Sequence, residues 1–326
     1  MANYKDIHGS NIETVTSDPS NPVNGQVWYN STDQALKGNA RTVAGSWASG
    51  SNLNTTRKGN SGGGTREDAI TMGGNTGSVT GATEVYNGTS WTNVSSMGTS
   101  KYGGGGGGAS STSAIAFGGD ASPITTNTEV WDGSSWTEVS NLNAGREGLG
   151  GTGIATSALA IGGQPTTAAV ESWNGSTWTE VSDLNLARFP VGASGDTNTN
   201  ALAFGGNISP RAQTESWNGS SWTEVSDLNI GRTAPGGAGP NNTDALAFGG
   251  FAPSVPGTTG STEIWNGSSW TTDTSMSTAR DFFGSDGSTT AAWAAGGGVP
   301  SGPQLTNVHE EWSGAGVDTT VTFTVS

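Results

Sequence analysis

The feature that most constrains this chain is a repeat of about 44 residues, because a repeat of that period fixes the architecture before any single element is considered. A glycine pair closes a short apolar run six times, in ITMGG (Gly73, Gly74), IAFGG (Gly118, Gly119), LAIGG (Gly162, Gly163), LAFGG (Gly205, Gly206), LAFGG (Gly249, Gly250) and WAAGG (Gly296, Gly297). The pairs are 45, 44, 43, 44 and 47 residues apart. An acid followed by an aromatic comes next: Glu84 with Tyr86, Glu129 with Trp131, Glu171 with Trp173, Glu215 with Trp217, Glu263 with Trp265, and Glu310 (or Glu311) with Trp312. Five residues after the first five aromatics stands a second tryptophan, at Trp91, Trp136, Trp178, Trp222 and Trp270. Trp47, 44 residues before Trp91, fills the same slot one repeat earlier. A basic residue then opens each unit: Arg57, Lys101, Arg146, Arg188, Arg232 and Arg280.

Each unit reads as four short strands. The first is glycine-rich (TAPGGAG), the second apolar and ended by the glycine pair (DALAFGG), the third alternating (TESW), and the fourth is WTEVS. Asn-Gly or Asp-Gly between the third and fourth marks a hairpin, with positive φ expected at both residues. No segment holds a 3.6-residue period, so helices are expected to be nearly absent. Composition alone suggests a flexible chain, with 54 glycines among 326 residues. The 13 tryptophans oppose this, since a chain without a core has nowhere to bury them. Four-stranded units of this length point to an all-β, six-bladed propeller, four antiparallel strands per blade. The last unit lacks its second tryptophan, so the strand around Trp47 is expected to close the sixth blade. Residues 321–326 (VTFTVS) are the alternative strand for that position. The expected division is 1–42 as an N-terminal attachment segment with a short hairpin, 43–315 as the propeller, and 316–326 as a C-terminal strand or tail.

The order of basic residue, apolar strand, Gly-Gly, acid-x-aromatic and tryptophan resembles the kelch repeat over roughly residues 43–312. It departs in placing tryptophan where kelch repeats usually carry tyrosine, and in its glycine-rich first strands. Residues 21–38, NPVNGQVWYNSTDQALKG, resemble a short module of bacteriophage virion and tail-fibre proteins. That likeness implies attachment to a particle through Trp28 and Tyr29.

The chemistry classes are narrow. Kelch-type propellers include copper radical oxidases, which need two histidines, two tyrosines and a cysteine on or near the metal. This chain has His8 and His309, four tyrosines and no cysteine, so neither that cofactor nor an ordinary zinc site is expected. ESWNGSTW places Trp173 where a sialidase box needs Asp. No G-x-S-x-G or P-loop pattern occurs. A net charge of −15 argues against nucleic acid and anionic membranes. No apolar run is long enough for a membrane span, and the start lacks a signal-peptide core. The six bases and six acids are expected to pair as a structural ladder rather than to form an anion site. The Asn-x-Ser/Thr sites at Asn87, Asn174, Asn218 and Asn266 arise from the repeated turn.

One comparison between the units points to binding. From base to first glycine they span 16 or 17 residues, but from second glycine to acid they span 10, 10, 8, 9, 13 and 13. Loops that vary on a fixed scaffold carry binding. The two longest contain Phe251, Pro253, Val255 and Pro256, then Val299, Pro300, Pro303 and Leu305. The expected function is a non-enzymatic structural or binding protein of a bacteriophage virion, an adhesin or decoration protein on tail or capsid. Its partners are other virion proteins and a host-surface glycan or protein. It is assembled in the host cytoplasm, released on lysis, and carries no cofactor. The alternatives are an intracellular kelch-type interaction scaffold and a carbohydrate-active enzyme using Asp281 with Asp286.

Overall fold

The computed structural model describes residues 12–19, 26–41, 44–254, 257–300, 305–314 and 318–323. Among them every regular element is a strand, and the strands form seven four-stranded sheets. The chain divides into two units: Ser46–Ser313, and the two ends together, Met1–Gly45 with Gly314–Ser326.

Six sheets belong to Ser46–Ser313 and follow the repeat. In one, Gly236–Asn241, Asp244–Phe248, Thr262–Trp265 and Trp270–Asp273 pair antiparallel in that order, with Trp265 opposite Trp270. Five sheets are contiguous in sequence. The sixth takes Gly284–Gly287, Ala291–Ala295 and His309–Ser313, then Ser46–Ser49 from the other end of the unit, with Trp312 opposite Trp47. This repetition of four-stranded antiparallel sheets is consistent with a β-propeller. The count of seven exceeds the six sheets expected from the repeat.

The seventh sheet lies outside the repeat. Glu13–Val15 runs parallel to Val27–Asn30, which pairs antiparallel with Ala35–Arg41, and that strand accepts Asp318–Phe323 on its far side. The alternative closing strand is thus placed on the N-terminal hairpin, with Phe323 opposite Leu36.

Hydrophobicity explains the layering. Second strands such as Ala158–Ile161 and Ala201–Phe204 are fully buried, so both of their faces are packed. The apolar clusters straddle neighbouring sheets: Leu159, Ile161 and Val170 of one pack with Ala201, Trp217 and Trp222 of the next. First strands approach even more closely. A Cβ added at Gly107 would lie 2.2 Å from the Gly153 carbonyl oxygen, and one at Gly237 2.1 Å from that of Ala193. Glycine is required there because side chains have no room.

Backbone hydrogen bonds link the starts of the six first strands. Gly103 N donates to Gly59 O (2.8 Å), Gly148 N to Gly103 O (2.7 Å), and Val191 N to Gly148 O (3.3 Å). Ala234 N donates to Pro190 O (3.3 Å), Phe282 N to Ala234 O (3.4 Å), and Gly59 N to Phe282 O (2.6 Å). Pro190 has no N–H, and the neighbouring Val191 donates in its place.

The hairpins between third and fourth strands differ from expectation. Four residues, Asn87–Ser90, separate the paired Tyr86 and Trp91. Only the glycine takes a positive φ, +84° at Gly88, while the Asn87 carboxamide oxygen accepts the amides of Thr89 and Ser90. With four loop residues the asparagine caps the turn instead of adopting the left-handed conformation.

Candidate functional site

The once-per-repeat charges are all used inside the protein. Arg57 Nη2 meets Glu84 Oε1 at 2.6 Å, Arg146 meets Glu171 at 2.9 Å, Arg188 meets Glu215 at 2.5 Å, and Arg280 meets Glu310 at 3.0 Å. Arg232 pairs with Glu263. All five arginines and their acids are buried. The guanidinium also ties the glycine pair down: Arg57 Nη1 donates to the carbonyls of Gly73 and Ala82, and Arg232 Nη1 to those of Gly249 and Ser261. The acid's other oxygen holds the crossing from the previous sheet. Glu84 accepts Asn54 N, Glu171 accepts Asn143 N, Glu215 accepts Asn185 N, and Glu263 accepts Asn229 N. In the units of Arg57 and Arg232 the base, the glycine pair and the acid form one fastening.

Lys101 is the loosest member. Its ammonium stands 3.6 Å from Glu129 and donates to the Asn127 carbonyl and side chain instead. Burial, only partly offset by Glu129, pulls its pKa down to about 8. An ammonium lacks the planar fork with which the guanidinium reaches the acid and the backbone carbonyls together.

The variable connections share an edge of the fold with the residues that follow each base. Lys58 bridges Asn75, Thr233 bridges Phe251 and Asp281 bridges Gly298, and the base Arg57 itself bridges Thr306. The two longest connections meet. Phe251, Thr258, Val299 and Pro300 line a notch of about 260 Å³ together with Lys58 and Asp281. Phe251 is 39% exposed, among the most exposed large apolar residues of the described chain. Pro253 and Pro300 are exposed, and Val299 and Leu305 half-buried. Val255, Pro256 and Pro303 lie outside the described residues. Burial raises the Asp281 carboxyl, and Lys58 beside it lowers it.

The paired acids of the enzyme alternative are not brought together. Asp281 lines the notch, whereas Asp286 lies on the first strand Gly284–Gly287 and lines cavities among the first strands.

In the N-terminal unit, Trp28 and Tyr29 point to opposite sides. Trp28 is buried, and Tyr29 is 37% exposed. The Asp18 carboxylate collects Trp28 Nε1 (3.0 Å), Asn30 Nδ2 (2.8 Å) and Lys37 Nζ (2.8 Å). Lys37, Asn30 and Trp28 hold its pKa down to about 2. Trp28 is therefore a packing residue, and only Tyr29 of the two presents a surface.

Two features escaped the reading of the sequence. His309 is fully buried, with ring centroids 4.7 Å from Tyr86, 5.4 Å from Trp91 and 6.3 Å from Trp293. Burial lowers its pKa to about 4. Its signal was available: it stands where five other units carry Thr or Val. The other feature is Asp196, which lines the same cavity as Asp286 among the glycine-rich first strands.

No protein-family model matches the chain, and no curated protein matches it in sequence.

Proposed function

We propose that Ser46–Ser313 is a six-bladed, kelch-type propeller whose last blade is completed by Ser46–Ser49, and that the protein is a non-enzymatic binding component of a bacteriophage virion. Three features support the propeller reading: the pairing of Trp47 with Trp312, the succession of backbone hydrogen bonds that returns to Gly59, and the contacts of each first strand with the next. The observation that carries the binding reading is the notch of Phe251, Thr258, Val299 and Pro300, formed where the two longest connections meet. The repeat's charges are buried and paired, so they offer a ligand nothing. The notch instead offers apolar area on proline-stiffened loops, which lose little entropy on binding. The virion setting rests on the resemblance of residues 21–38 to virion and tail-fibre modules. The seventh sheet, Glu13–Val15, Val27–Asn30, Ala35–Arg41 and Asp318–Phe323, would join the protein to its neighbours on the particle, with Tyr29 as a contact.

The test shortens both connections to the length of Gly163–Val170. The variant should melt within a few degrees of the parent, since exposed loops add little stability, and adsorption to host cells or docking to a neighbouring virion protein should fall. Unchanged adsorption and docking would place the binding surface elsewhere. Mass spectrometry of purified particles tests the setting, and absence of the chain from them would end that part of the reading.

A further inference from the structure

The register of the first strands places one residue of each sheet at each of two levels, and a third set follows in sequence beyond register shifts in three of the strands. The residues paired with the last residue of the second strands are Ser61, Gly105, Gly150, Gly192, Gly236 and Gly284. Two positions further on stand Gly63, Gly107, Thr152, Ser194, Ala238 and Asp286, a level with a single ionisable group. Two positions beyond that stand Thr65, Ala109, Ile154, Asp196, Pro240 and Ser288, again with a single acid.

These levels bound two connected spaces. The outer one, about 570 Å³, is lined by all six residues of the last set, from Thr65 to Ser288, with Asp286, Glu67 and Ala291. The inner one, about 110 Å³, is lined by Ser194 and Asp286 with Asn60, Ser61, Thr152 and Ser285 among the glycine strands. Asp286 lines both. A third space at the other end of the first strands, about 90 Å³, is lined by glycines, Pro190, Pro235, Phe282 and Phe283, and carries no acid.

The inner space holds an unanswered acceptor. Ser194 is 3% exposed, and its hydroxyl has no hydrogen-bond partner. Thr152, at the same level, donates instead to the Gly195 carbonyl. The Asp286 carboxylate accepts Gly64 N at 3.1 Å and Gly287 N at 2.8 Å. No cationic side chain lines either space. The charged groups around Asp286 are Asp196, Glu67 at the rim with its partner Arg66 at 2.5 Å, and Asp244, which is engaged by Thr289. Burial first, then Asp196, pushes Asp286 up to about 8. Among the described residues no three His, Cys, Asp or Glu side chains converge as a metal site would require. An ammonium group needs less: one carboxylate and a hydroxyl lone pair.

We propose that this space binds an aliphatic primary diamine, with one ammonium between Asp286 and Ser194 Oγ, the methylene stem along Ala109, Ile154 and Pro240, and the second ammonium at Asp196. The apolar collar suits a stem, and an acid at each level suits a charge at each end. Because Asp286 is largely protonated at neutral pH in the free protein, binding should displace its proton into the buffer.

The test is titration calorimetry with 1,5-diaminopentane on the full chain, in two buffers of different ionisation enthalpy. Expected are one site per chain, heat that depends on the buffer, and affinity rising up to tenfold per pH unit between pH 6 and 8. D286N should weaken binding at least tenfold and abolish the buffer dependence. D196N should weaken 1,5-diaminopentane but not 1-aminopentane. S194A, the mildest change, should cost several-fold. Circular dichroism would check that each variant is folded. No heat at millimolar diamine, equal binding by folded D286N, or calcium chloride binding at this site where the diamine does not, would overturn the proposal.

Discussion

Two kinds of junction occur around the repeat region. At four of them the fourth-strand tryptophan of one sheet donates its indole N–H to a threonine that opens the third strand of the preceding sheet. These are Trp136 to Thr83 (3.1 Å), Trp178 to Thr128 (3.0 Å), Trp270 to Thr214 (3.1 Å) and Trp47 to Thr262 (2.9 Å). At the other two the threonine is replaced. Trp222 packs in a cluster with Val170, and Trp91 packs on His309, and both indole N–H groups are buried without a partner. The shape of the junction survives in all six, while the polar tie does not. Packing therefore sets the geometry of neighbouring sheets, and the threonine adds a modest increment that valine can forgo.

The largest effect should come from removing the tryptophan itself. Trp178→Ala and Trp222→Ala should each cost about 3–5 kcal/mol in urea unfolding. Trp178→Ala should cost more by about 1 kcal/mol, because it also strands Thr128. Equal losses would mean that the hydrogen bond contributes nothing.

Next comes acid. The His309 pKa falls from 6.5 when unfolded to about 4 when folded, so between those values the unfolded chain binds more protons. Stability should therefore drop as pH falls from 6.5 to 4, by about 3 kcal/mol at 1.36 kcal/mol per unit. His309→Thr should remove that part of the acid sensitivity and give Trp91 a partner. Parallel pH profiles for parent and variant would contradict the assignment.

A smaller effect is expected from exchanging the two junction types. Val170→Thr should stabilise by about 1 kcal/mol through a new bond to Trp222, and Thr128→Val should destabilise by about 1–3 kcal/mol by orphaning Trp178. A loss on Val170→Thr would show that the valine pocket cannot accept a hydroxyl.

Much of this was legible in the sequence, because the repeat states it six times. The glycine pair, the aromatic pair and the once-per-unit base and acid each recur, and each corresponds to one physical unit: a packed second strand, a cross-strand aromatic contact and a buried ion pair. The seventh sheet was not legible, since Asp318–Phe323 carries no repeat mark and its partner strand lies about 280 residues earlier. The burial of Trp28 was not legible for a related reason. Its motif is local, but the carboxylate that fixes it, Asp18, lies outside the motif. The association of Asp286 with Asp196 rather than with Asp281 was hidden by glycine, because the strands that carry the two acids read as low complexity.

The central claim is that the repeat region is one propeller whose final blade joins Ser46–Ser49 to His309–Ser313. The chain has no cysteine, so a single introduced pair tests this directly. Ala48 and Glu311 stand opposite each other in the register. On mild oxidation Ala48→Cys/Glu311→Cys should form an intrachain disulfide in nearly every molecule, migrate faster on a non-reducing gel, and melt at a higher temperature until reduced. A folded double variant that stays reduced, or links only between molecules, would contradict the account.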